Sequence, residues 1–181
     1  MESNKIKMAC YARHLLIVSL LILSASIING QSISKYYTSS IQDNAMLYYI
    51  LPQSGFNNSV SNNSFIYDIT YLTTNEYATL NFSYYDKLDR TIDSLVLVNS
   101  HQRFSLSVKK IFIETKKTKW HYRYSSQILF SDLNIFFKVA DKPKIILYTK
   151  EGVVELFIKE KTWKNQSEIT SKILTLIKYN K

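Results

Sequence analysis

The residues with chemistry to offer are few and scattered. His101 and His121 are the histidines beyond residue 30, and the one cysteine, Cys10, stands near the N-terminus. A zinc site built without thiolates would need both histidines and a carboxylate such as Glu114 to converge through folding alone. Nothing in their spacing announces that, and no metal is expected. Asp86, Asp89 and Asp93 in YYDKLDRTID form the densest acidic cluster. A glycosidase pair or a calcium loop would need two or more such carboxylates at fixed separation. Their spacing fits no such loop, and Lys87 and Arg90 neutralise them, so the stretch reads as a polar connection. A hydrolase nucleophile usually sits on a tight, glycine-bearing turn, but beyond Gly30 only Gly55 and Gly152 remain. No nucleophile elbow, phosphate loop or dinucleotide fingerprint can be built from them. No catalytic residue and no cofactor is assigned.

One stretch does suggest a binding chemistry. KKIFIETKKTKWHYRYSS, residues 109–126, interleaves lysines and Arg123 with Phe112, Trp120, Tyr122 and Tyr124, as a surface that stacks and neutralises single-stranded nucleic acid would. Written as a hairpin with its loop at residues 115–118, it sorts into two faces. Ile111, Ile113, Trp120, Tyr122 and Tyr124 share one, and Lys110, Glu114, Lys119, His121 and Arg123 share the other. Stacking needs aromatic rings beside the cations, and alternation sends them to opposite sides. The pattern therefore predicts core-facing aromatics and a solvated basic back, which disfavours nucleic acid. Lys110, Lys119 and Arg123 remain candidates for contact with an anionic polymer or lipid headgroups.

The elements around that hairpin read as short strands. AMLYYIL is a strand, and residues 53–64, polar and following Pro52, form an exposed loop. SFIYDITYLTT and EYATLNFSYYD alternate with period two across a turn at Asn75 and pair as a hairpin. DSLVLVNS and RFSLSV follow as strands. Residues 131–140 fit either period, but Ser131 or Asp132 can cap a helix and Pro143 ends one, so a short helix is preferred. KIILYT and VVELFIK make a hairpin with Ile146, Tyr148, Val154, Leu156 and Ile158 on one face. Ile145, Leu147, Val153 and Phe157 on the other face are also apolar, so both faces should be covered. The cover is the amphipathic helix 165–179, opened by Asn165 with Glu168 and striped by Ile169, Ile173, Leu176 and Ile177. Residues 34–40 read as a loose N-terminal stretch. The expected fold class is α+β and mostly antiparallel β, a sandwich-like or curved sheet of about 7–9 strands with these two helices. The core is expected to include Trp120, Tyr122, Tyr124, Ile111, Ile113, Leu156 and Ile173.

Lys5, Lys7 and Arg13 precede LLIVSLLILSASII, an apolar run of fourteen residues. This has the form of a secretory leader over residues 1–30, with the mature start expected between Ile27 and Gln31. The run falls short of the roughly 20 residues a spanning helix needs, so no transmembrane helix is expected after cleavage. Cys10 precedes the run and cannot serve as a lipoprotein cysteine. A cysteine-free remainder of about 150 residues can bury a single core without disulfides, and residues 31–181 are expected to form one domain. The absence of cysteines favours a bacterial periplasm or cell surface. Net charge is +9 overall, and its excess lies late: residues 31–99 carry 3 basic and 6 acidic side chains, residues 100–181 carry 17 and 7. Such asymmetry suits an anionic partner or simply a lysine-rich solvated surface.

YDITYLTTNEYATLNFS, WHYRYSS, the Lys-Pro-Lys strand entry and KTWKNQSEITSKIL together resemble a family of small, uncharacterised exported proteins of Bacteroidetes-type bacteria, over residues 65–181. That resemblance supports export and a single domain, and it brings no activity, cofactor or binding residue with it. The expectation is thus an exported, non-catalytic interaction or binding module whose partner is unidentified, an envelope protein or an anionic polymer. The alternatives are an envelope hydrolase without a recognisable motif and a weak binder of polyanions or lipid headgroups.

Overall fold

A computed structural model describes residues 33–139 and 142–180. The expected leader and its cleavage site lie outside the described residues. The chain divides into two units, Met1–Lys35 and Tyr36–Lys181, and the second holds the strands and helices. These are β1 (Tyr37–Gln42), β2 (Ala45–Ile50), β3 (Phe56–Asn58), β4 (Asn63–Leu72), β5 (Tyr77–Asp86), β6 (Ile92–Val98), β7 (Arg103–Ser107), β8 (Lys109–Lys116), β9 (Lys119–Leu129), α1 (Phe130–Lys138), β10 (Lys144–Thr149), β11 (Gly152–Phe157) and α2 (Glu160–Tyr179). Among the described residues no helix is long and apolar enough to cross a membrane.

The fold is mostly antiparallel β with two helices. All eleven strands join one sheet in the spatial order β7-β6-β10-β11-β3-β4-β5-β9-β8, with β1 attached through β2 to β4. β4 divides one edge between two neighbours, β3 at Asn63–Phe65 and β2 at Ile69–Leu72. β7 and β8 end the order at opposite margins, yet only Val108 separates them along the chain. One residue can span a few ångströms, so the sheet must roll until its margins converge where β7 passes into β8. The Ser126 hydroxyl on β9 then donates to the Ser107 carbonyl oxygen on β7 at 2.6 Å. The sheet is a nearly closed barrel.

Two strands beyond the expected 7–9 have local causes. Asp43 and Asn44, residue types that tolerate left-handed φ, take 49° and 62° and make a tight hairpin turn that lays Tyr37–Gln42 along β2. The stretch read as a loose end is therefore ordered, a 3-10 turn at Ser34–Tyr36 that leads into β1. In the stretch read as a loop, Phe56 is fully buried and draws β3 against β4. Gly55 permits this approach, because a Cβ there would stand 2.7 Å from the Phe65 carbonyl oxygen.

The interior is built in rows. Phe65, Tyr84 and Tyr122 lie side by side on β4, β5 and β9, as do Tyr67, Phe82 and Tyr124, and Ile69, Leu80 and Ser126. Phe82 stacks between Phe65 at 4.8 Å and Tyr124 at 5.5 Å. α1 lays Phe130, Leu133, Phe136 and Phe137 into this concave face, with Phe130 stacked on Tyr71 at 4.2 Å. α2 adds Trp163, which is fully buried, stacks on Phe137 at 5.4 Å and donates its indole N–H to the Val139 carbonyl at 3.2 Å. A residual void of about 10 Å³ is lined by Phe65, Leu80, Leu97, Phe136 and Ile145 among others. The barrel is filled with side chains.

The C-terminal helix starts at Glu160 rather than Asn165. The Trp163 anchor outweighs the cap signal, and Lys159 precedes the helix with no side-chain cap. It packs on α1 and β2 and seals the interior; it does not cover the outside of β10 and β11. That hairpin is also shifted by one residue from the expected register, because Thr149 pairs directly with Gly152 and the loop shrinks to Lys150 and Glu151. A one-residue slip exchanges faces. Ile145, Leu147, Val154 and Leu156 point inward, while Tyr148, Val153 and Phe157 are left exposed outside.

Candidate functional site

The outer surface of the barrel carries the densest polar chemistry, on the stretch of β4, β5, β9 and β8. Sheet register sets its side chains in rows: Ser64, Tyr85, His121 and Glu114; then Ile66, Ser83, Arg123 and Phe112; then Asp68, Asn81 and Ser125. The β8–β9 hairpin closes two residues later than expected, with Lys116 paired to Lys119 and Lys117 at φ 58° in the turn. An even slip keeps the side chains from Phe112 onward on their faces, while the bulge at Ile111 sets Lys110 opposite Tyr124 in place of Arg123. It brings Glu114 opposite His121, where Lys119 was expected.

These rows hydrogen-bond into a chain. Glu114 Oε1 lies 2.8 Å from His121 Nδ1, and His121 Nε2 lies 3.0 Å from Ser83 Oγ. Arg123 Nη1 donates to Ser83 Oγ at 3.3 Å, and its Nη2 forms an ion pair with Asp68. Asp68 also accepts from Asn81 Nδ2 and the Tyr49 hydroxyl, each at 3.1 Å. Burial raises the Tyr49 phenol above its ordinary range, and the Asp68 charge adds to the shift. The His121 ring is stacked on Tyr85 at 4.4 Å and meets the edge of Phe112 at 5.1 Å.

Serine, histidine and glutamate in this sequence are the nucleophile, base and orienting group of acyl-transfer enzymes. With Nδ1 protonated toward Glu114, Nε2 can accept the Ser83 proton. The surroundings do not complete the machine. Ser83 and His121 are each only 7% exposed, so little room is left for a carbonyl to reach Oγ. β5 is paired on both sides at Ser83, with Ile66 and Arg123, so the strand's backbone N–H groups serve the ladder and cannot form an oxyanion hole. Arg123, whose Nη1 reaches Oγ, is held by Asp68. The arrangement acts as a clamp across four strands.

A second polar cluster closes one end of the barrel. Asp86 Oδ2 accepts from the Tyr84 hydroxyl at 2.6 Å, Asn63 Nδ2 at 3.1 Å and Arg90 Nε at 2.6 Å, and its Oδ1 accepts from the Leu88 N–H. The Tyr122 hydroxyl donates toward the Leu88 carbonyl and Asp89, and accepts from the Arg90 N–H at 2.7 Å. Burial pushes the Tyr84 and Tyr122 phenols far up; Asp86 reinforces the shift at Tyr84 and Asp89 at Tyr122, where the Arg90 N–H opposes it. Asp86 and Asp89 thus fasten the connection between β5 and β6, while Asp93 is exposed on β6. Among the described residues no group of three His, Cys, Asp or Glu side chains could hold a metal.

Of the three proposed anion contacts, only Lys110 stands fully exposed. Arg123 is consumed by Asp68, and Lys119 Nζ donates to the Asn62 carbonyl. Sequence reading missed Lys116 and Lys117, which with Lys119, Ser64 and Tyr85 line an open cleft of about 390 Å³ at the hairpin tip. Among the residues assigned to the core, Tyr122, Tyr124, Leu156 and Ile173 are buried and Trp120 is half-buried. Ile111 and Ile113 are corrections, at 52% and 38% exposed. β8 ends the strand order, pairs among the described residues with β9 alone, and is turned from the regular ladder by a bulge at Ile111. All eight of its residues are exposed. His121, expected to be solvated, is instead buried by Tyr85 and Phe112.

The chain matches no family model, no curated protein and no solved structure.

Proposed function

We propose that the chain is an exported, non-catalytic binding module of the periplasm or cell surface, in keeping with its leader-like N-terminus and its resemblance to small exported proteins of Bacteroidetes-type bacteria. The observation that carries this reading is β8, a strand exposed along its whole length that presents Ile111, Phe112 and Ile113 to solvent. Large apolar side chains gathered on an open strand mark a surface that something else covers. The filled interior supports the same reading, since binding must then occur on the outside. The test is a photo-crosslinking side chain placed at Ile113 or, as control, at the exposed Ile135 of α1 in the chain made by its own cells. A discrete adduct from position 113 alone is expected; equal capture at both positions, or none, would sink the assignment.

The geometry around Ser83 favours one other reading, a hydrolase with Ser83 as nucleophile, His121 as base and Glu114 orienting the base. Hydrolysis of a small activated ester decides between them. The clamp reading expects a background rate unchanged by Ser83→Ala, whereas Ser83-dependent turnover with an acyl-enzyme detectable by mass would establish the hydrolase.

A further inference from the structure

We infer that the free margin of β8 accepts an extended, acidic peptide segment as an added strand. The inference rests on the binding-module reading and names the partner's chemistry. Among the described residues β8 pairs with β9 alone. On its other side, alternate residues therefore aim backbone N–H and C=O groups outward without a ladder partner. The bulge at Ile111 interrupts one end and leaves Phe112–Lys116 as the regular stretch. Phe112 and Ile113, 40% and 38% exposed, sit on opposite faces of it. An incoming strand would set alternate β-branched or aromatic side chains against each of them.

Charge selects among occupants. Lys109 and Lys110 flank the apolar residues on one side, and Lys116, Lys117 and Lys119 flank them on the other. The single acid of the strand, Glu114, is engaged by His121. A second copy paired antiparallel about a two-fold axis would set Lys109 and Lys110 of each strand against Lys116 and Lys117 of its mate, at both ends, where like charges directly opposed are destabilising. Carboxylates near both ends of a foreign strand meet the lysines instead.

The experiment measures fluorescence anisotropy of a labelled peptide of alternating Val and Thr with Glu pairs at both ends, titrated with the exported chain. Two relatives serve as controls: one with alternate backbone amides N-methylated, one with Lys in place of Glu. The acidic peptide is expected to bind, N-methylation to weaken it about tenfold or more through lost ladder bonds, and the Lys peptide not to bind. Lys116→Glu with Lys117→Glu, at exposed positions, should leave the melting curve in place and weaken the acidic peptide by a similar factor. Equal binding of the N-methylated peptide overturns strand addition in favour of charge alone. Failure of the acidic peptide to bind, or self-association of the chain that excludes it, overturns the proposal as well. Mass analysis of the recovered peptide separates the two levels: an intact, unbound peptide sinks the added strand alone, while Ser83-dependent cleavage sinks the non-catalytic reading beneath it.

Discussion

The Ser126 hydroxyl donates to the Ser107 carbonyl oxygen at 2.6 Å, across the line where the two margins of the sheet come together. The bond ties β9 to β7, which share no ladder, and Ser126 is almost wholly buried. Removing the hydroxyl strands a carbonyl oxygen with little water to replace it. Ser126→Ala should cost about 1–3 kcal/mol and lower Tm by several degrees, read by calorimetry. An unchanged melt would show that the seam is held by Val108 and packing alone.

Asp86 is a buried carboxylate whose cation, Arg90, lies 2.6 Å away. Removing one partner of such a pair leaves the other charge uncompensated, so Arg90→Ala should destabilise by about 3–5 kcal/mol. The exposed pair Lys172 and Glu168, 2.8 Å apart on α2, provides the contrast. Lys172→Ala should leave stability almost unchanged. Denaturant titration of both variants checks the ranking, and equal effects would mean that Asp86 is satisfied by Tyr84 and Asn63 without its arginine.

The two tryptophans should differ in the same way. Trp163 is fully buried among Phe56, Phe136 and Phe137, so Trp163→Ala should cost about 3–5 kcal/mol and loosen α2. Trp120 is half-buried near the hairpin tip, and its truncation should cost clearly less. Intrinsic fluorescence adds a second readout: the Trp163→Ala variant should keep the more solvent-exposed, red-shifted emission.

Alkaline pH should unfold the protein. Burial holds the phenols of Tyr67, Tyr84 and Tyr122 well above their ordinary value of 10.0. The unfolded chain releases these protons near pH 10 while the folded chain keeps them, so stability is complete below that pH and falls as pH rises through and above it. Each such tyrosine contributes a slope of up to about 1.4 kcal/mol per pH unit. Tyrosinate absorbance should show a class of phenols that ionises only together with loss of the folded far-ultraviolet spectrum. Ionisation of every tyrosine near pH 10 with the fold intact would contradict the buried rows.

Alternation over residues 77–86 was enough to read β5, since Ala78, Leu80, Phe82 and Tyr84 all face the core. The short helix before Pro143 was legible in place, although it begins at Phe130, ahead of Ser131 and Asp132, and Leu129 precedes it with no side-chain cap. Registers were harder. The turn at Lys117 and the Thr149–Gly152 pairing depend on backbone angles that composition does not announce, and they moved one hairpin by two residues and the other by one. The clamp was harder still. Asp68, Ser83, Glu114, His121 and Arg123 lie on four strands, and only strand order brings them together. His121 and Arg123 could be assigned a common face from sequence, but nothing local points to Ser83 opposite Arg123. Exposure of Ile111 and Ile113 was illegible because alternation reveals which side a residue faces, and says nothing of whether anything lies opposite.

The placement of β10 and β11 has a consequence for the order in which the molecule can be completed. This hairpin follows every other described strand along the chain, and it inserts between β6 on one side and β3 on the other. Until it emerges, the chain holds two partial sheets with mating edges and nothing between them. The hairpin is a keystone: an N-terminal fragment stopped before Lys144 keeps every other strand and still cannot close. Such a fragment displays two open edges at once, the condition in which β-proteins associate with one another in place of folding. Holding the chain extended until β10 and β11 are available would spare it that fate.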